Sequence, residues 1–83
     1  MDRQEALEVV REAMRRLSSQ QEIPSGLEID SISGATTIDE LGLDSLDKLA
    51  VIQELERVTG AAIDEDRIRE LVTAGDLAQC ITD

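Results

Sequence analysis

Apolar residues recur at helical spacing in four stretches of the chain. Between Arg3 and Leu17, Leu7, Val10, Met14 and Leu17 follow three-and-four spacing, with Ala6 and Ala13 beside them. The other faces hold Glu8, Glu12, Arg11, Arg15 and Arg16. This is the pattern of an amphipathic helix, with acid early and arginine late as the helix dipole favours. A second helix is predicted to open at Asp44-Ser45, with Asp44 as N-cap, and to end at Gly60. Its inward stripe is expected to be Leu46, Leu49, Ile52 and Leu55, flanked by Val51 and Val58. A short third helix is expected over Glu65–Leu71, opened by Asp64, Glu65 and Asp66. Thr73 is read as the cap of a last helix that turns Leu77, Ala78 and Ile81 inward.

Between the first two main helices the signal changes. Pro24, Gly26 and Gly34 punctuate a Ser-, Thr- and Asp-rich stretch from Ser18 to Thr37, and Ile23, Leu27, Ile29 and Ile32 are spaced through it. This connection is long for a compact domain, and its isolated aliphatics imply that it is pinned across a core. A turn of helix around Thr37–Leu41 closes it. The expected fold is therefore all-α, a small four-helix bundle of three longer helices and one short, with a long loop between the first two main helices. Its 83 residues form one domain, 1–83. Met1 and the compact ends favour an independent protein, and a monomer is expected.

Composition narrows what such a bundle can do. Phe, Tyr and Trp are absent and the net charge is −11, so nothing stacks on a base and phosphate backbones are repelled. The acidity instead suits partners with basic surfaces. Histidine is absent and Cys80 is the single cysteine. That removes the commonest general base, any intramolecular disulfide and any Cys-rich zinc site. Cys80 reads as a small core residue. Asp64, Glu65 and Asp66 lack the alternating oxygens, central Gly and terminal Glu of a calcium loop. With no phosphate-binding Gly loop either, the chain holds no constellation for catalysis and is not expected to be an enzyme. No apolar run approaches the ~20 residues needed to span a bilayer. The charged N-terminus departs from a signal peptide, so a cytoplasmic location is expected.

One hydroxyl draws attention. Ser45 sits in Leu41-Gly42-Leu43-Asp44-Ser45-Leu46-Asp47, at a helix start where unpaired amides and the positive dipole end favour a phosphate. Gly42 leaves a backbone free of side-chain bulk for a modifying enzyme to approach. On position alone, Ser45 also fits a plain helix-capping role.

The string around Ser45 resembles the signature of acyl carrier proteins. The resemblance continues through Leu49, Ile52, Leu55-Glu56, Ile63-Asp64-Glu65-Asp66 and Thr73-Ala74-Gly75-Asp76-Leu77. It implies a four-helix carrier whose Ser45 receives 4'-phosphopantetheine from coenzyme A, through a phosphopantetheinyl transferase that uses magnesium. It further implies that the arm holds acyl groups as thioesters and delivers them to acyl-transferring, ketosynthase or acyl-activating enzymes. Carriers of this kind often shelter a growing chain among aliphatic residues between the helices. Partner-binding positions implied by the family are Asp44, Asp47 and Glu56, with Glu54 adding charge and Leu46 an exposed apolar contact.

Departures from the fatty-acid pattern lean towards polyketide or another specialised acyl pathway. Ala50 and Arg57 stand at commonly acidic positions, Lys48 adds a positive charge, Gln53 replaces an apolar contact, and Thr59 stands where an aromatic usually closes the core. An aminoacyl or aryl carrier of peptide assembly is the alternative within the class, although such carriers usually place a Gly where this chain has Leu43. An unmodified acidic adaptor is the alternative outside it.

Overall fold

The computed structural model describes residues 1–24, 26 and 28–82. Its α-helices are α1 (Arg3–Ser19), α2 (Ser45–Thr59), α3 (Glu65–Glu70) and α4 (Ala74–Thr82). Single 3₁₀ turns at Ile29–Ser31 and Asp39–Leu41 interrupt the long connection. The helical bundle anticipated from periodicity is the fold observed.

Each helix starts where a side chain can satisfy its open amides. Asp2 accepts from the Glu5 amide at 2.8 Å, and Asp64 from that of Arg67 at 2.9 Å. Before α4, Thr73 Oγ1 accepts from Asp76 N, while the Asp76 carboxylate accepts from the Val72 and Thr73 amides. Those two backbone donors hold the Asp76 carboxyl below its ordinary range. Gly60 ends α2 in the left-handed region, φ +75°, its amide donating to Glu56 O. Thr59, lacking an aromatic's bulk, donates its hydroxyl to Leu55 O at 2.7 Å.

The core is aliphatic throughout. Val10 and Met14 of α1, Val51, Ile52 and Leu55 of α2, and Leu77, Ala78 and Ile81 of α4 are buried together, and Cys80 joins them. Ile23 and Ile32 pin the long connection into this core, with Ile29 partly buried against it. Leu27, expected to do the same, lies outside the described residues.

Two expectations need correction. Leu46 and Leu49 do not form the inward stripe of α2: they are 76% and 41% exposed, and Val58 is exposed as well. The buried face is Val51, Ile52 and Leu55; at 3.6 residues per turn Leu46 lies about half a circle round the helix from Leu55, so the two cannot share a face. The third helix stops at Glu70, and Leu71 is its extended, buried C-cap. Among the described residues no helix is long and apolar enough to cross a membrane.

Candidate functional site

The site is built by the turn that launches α2. Ile38 and Leu43 are buried and anchor the segment before the helix, while Gly42 between them adopts φ +73° in open space. A Cβ would meet nothing there, so glycine serves the left-handed backbone. Asp44 is extended, and its Oδ1 accepts from Asp47 N at 2.8 Å. Asp47 Oδ2 accepts in return from Asp44 N at 3.3 Å, completing a capping box.

That box decides the position of Ser45. Asp44 does the capping, so Ser45 is the first helical residue and its hydroxyl is left over. Ser45 is exposed, and its side chain makes no hydrogen bond among the described residues. The Ser45 and Leu46 amides likewise donate to no described group. An exposed hydroxyl beside free donors at a positive helix end is where a phosphodiester is favoured. The residues present therefore fit a phosphopantetheine attached through Ser45.

Beside Ser45 opens a concavity of about 300 Å³, lined among others by Ile38, Leu43, Lys48, Leu71 and Val72. The segment after α3 is held next to the one before α2 by Ile38 N donating to Val72 O at 2.8 Å and by a backbone bridge between Thr37 and Thr73. Val72, 58% exposed, presents an apolar wall to solvent.

Of the expected partner-binding residues, Asp44, Leu46 and Asp47 lie at the same helix start as Ser45. Glu54 and Glu56 do not join them, being about 14 Å or more farther along the helix axis at 1.5 Å per residue. Glu54 is mostly enclosed, paired with Arg16 of α1 at 2.5 Å and Arg57 at 2.6 Å. Glu56 accepts from Ile63 N at 3.0 Å and so closes the α2–α3 connection. Both carboxylates are engaged within the fold. Leu71 and Val72 were not anticipated at the site, since no local pattern signals that a distant segment will lie beside Ser45. Among the described residues no group of His, Cys, Asp and Glu is arranged to hold a metal ion.

Comparison with known proteins places this geometry in context. Residues 25–81 match the family described as the phosphopantetheine attachment site. The chain is 32% identical over 68 residues to the anthracycline acyl carrier protein DauA of Streptomyces sp. (strain C5), and equally to DpsG of Streptomyces peucetius. Each alignment covers 82% of this chain and 76% of the relative. It is also 35% identical over 57 residues to the non-reducing polyketide synthase tazA of Aspergillus terreus (strain NIH 2624 / FGSC A1156). That match covers 69% of this chain and 2% of the synthase.

Proposed function

The chain belongs to the acyl carrier protein family, whose members bear a phosphopantetheine arm, and on that premise we propose that Ser45 is the attachment residue. Members of this family are carriers and not catalysts. The finer reading is a carrier of polyketide intermediates, supported by the names of the relatives and by the departures at Lys48, Ala50 and Arg57.

The observation that carries the assignment is the free Ser45 hydroxyl, left exposed because Asp44 takes the capping role. The transferase brings coenzyme A. The Ser45 oxygen forms a bond to the pantetheine-bearing phosphorus, the pyrophosphate bond breaks, adenosine 3',5'-bisphosphate leaves, and the serine proton passes to the transferase. When bound, the arm supplies a terminal thiol for thioester formation. The carrier's own residues then do physical work. Asp44, Leu46 and Asp47 present charge and one apolar contact to basic docking surfaces around the arm's root. The tether keeps cargo at high effective concentration near each docked enzyme. We place this work in the cytoplasm, performed by one domain as a monomer.

Incubation with coenzyme A, magnesium and a broad-specificity transferase should add one phosphopantetheine to the parent by intact mass and none to Ser45→Ala. No gain in the parent, or a gain in the variant, overturns the assignment.

A further inference from the structure

The rim of the concavity beside Ser45 is acidic except for Lys48, the one lysine in the chain. Lys48 lines that concavity together with Asp39 and Asp44. It makes no ion pair among the described residues, whereas Arg11, Arg15, Arg16 and Arg57 are each held by a carboxylate. Nor does α2 benefit from it. Lys48 is the fourth residue of the helix, and a cation near the positive end of a helix dipole is disfavoured. A cation there is left to water and the neighbouring carboxylates, and is available to an anion added at the same helix start.

Ser45 and Lys48 stand three residues apart on α2, so their Cβ atoms are neighbours, about 5–6 Å apart. A phosphodiester on Ser45 brings one negative charge to a rim already holding Asp39 and Asp44, where like charges repel it. We infer that Lys48 is a positioning residue for the arm. Its ammonium pairs with the phosphodiester on Ser45, alongside the free Ser45 and Leu46 amides, and lays the first part of the pantetheine against Leu71 and Val72. Lysine is well suited to a phosphate as a point charge on a flexible stem. This inference rests on Ser45 carrying the arm, and its failure is separable from a failure of that reading.

The test uses enzymatically loaded holo-protein as parent, Lys48→Gln and Lys48→Arg. Three signals are read: the phosphorus resonance, the Lys48 side-chain resonances, and nuclear Overhauser contacts from the pantetheine geminal methyls to Leu71 and Val72. Conversion from apo to holo should shift the Lys48 resonances in the parent. The methyl contacts should be present in the parent and Lys48→Arg, and lost in Lys48→Gln together with a displaced phosphorus resonance. Raising salt should carry the parent's phosphorus resonance towards that of Lys48→Gln. Identical phosphorus spectra and contacts in parent and Lys48→Gln overturn the inference. So does a Lys48 shift that appears only after malonyl loading, which would make the thioester's carboxylate the partner. A parent that gains no arm by intact mass removes the Ser45 assignment and this inference with it.

Discussion

Glu54 shows how one carboxylate can join two helices. Arg57, one turn along α2, is the main reason its carboxyl is held at about 2; Arg16 of α1 adds to this, and partial desolvation opposes both. The side chain is 11% exposed, so solvent screens the cluster only in part. A carboxyl whose folded value lies below its unfolded value stabilises fully above the ordinary 4.5 and loses that contribution as pH falls through about 2. Glu54→Gln should therefore cost about 1 kcal/mol at neutral pH, an amount suited to a mostly enclosed but solvent-edged pair. The gap to the parent should close between pH 4.5 and about 2, read as urea midpoints by circular dichroism. A gap of the same size at both ends of that range would mean that the ion pairs contribute nothing. The sequence could show Arg57, one turn away, but Arg16 is 38 residues distant and no local rule joins them. For that reason the sequence reads Glu54 only as added charge, and its pairing with Arg16 enters with the packing. Asp44 as the cap and Ser45 as the first residue of α2 were legible because capping is a matter of neighbouring residues.

At the scale of elements, the decisive joint is the one between the end of the long connection and the start of α4. Gly75 N donates to Gly34 O at 3.0 Å and Ala74 N to Thr36 O at 2.8 Å, beside the Ile38–Val72 bond at the Ser45 concavity. A Cβ on Gly75 would lie 2.6 Å from Gly34 O and 3.2 Å from Gly34 C and Cα. These are backbone atoms, so the two segments would have to separate. A Cβ on Gly34 would meet Gly75 Cα at an ordinary 3.9 Å. Gly75→Ala should therefore destabilise by about 1–3 kcal/mol, as overpacking does, and Gly34→Ala by less. Thermal melts followed by circular dichroism decide it, and equal melting points for the two variants would refute the close approach. The helices themselves were readable from periodicity, down to Leu77, Ala78 and Ile81. Repeated steps of three residues fall about 60° short of a full turn each, so the stripe named on α2 spiralled off the buried face at Leu46 and Leu49. The joint was not readable, because it is made of amides and carbonyls that every residue carries.

For the whole molecule, the net charge of −11 sits within a radius of gyration of 11.2 Å. The total was plain from composition, and its distribution needed the fold. Arginines of α1 pair with Glu8, Glu12 and Asp30 on one part of the surface, while Asp39, Asp44 and Asp47 gather near Ser45 and make no ion pair among the described residues. This arrangement makes salt act in opposite directions on two measurable quantities. Screening relieves the repulsion among carboxylates in the compact state, so the melting point should rise with salt. If a basic transferase docks at this helix start as proposed, the same screening shortens the reach between them, from a Debye length of about 10 Å at 0.1 M to about 3 Å at 1 M. The kcat/KM for loading Ser45 at saturating coenzyme A should then fall roughly tenfold across that range, with kcat nearly unchanged, as loss of electrostatic steering requires. A loading rate indifferent to salt would show that docking rests on Leu46 and shape. A melting point that falls instead would show that the ion pairs of α1 and Glu54 outweigh the repulsion elsewhere. Opposed responses in one preparation would locate the excess acid where the partner meets the carrier, since charge spread evenly over the surface would raise stability on screening with a far weaker penalty on encounter.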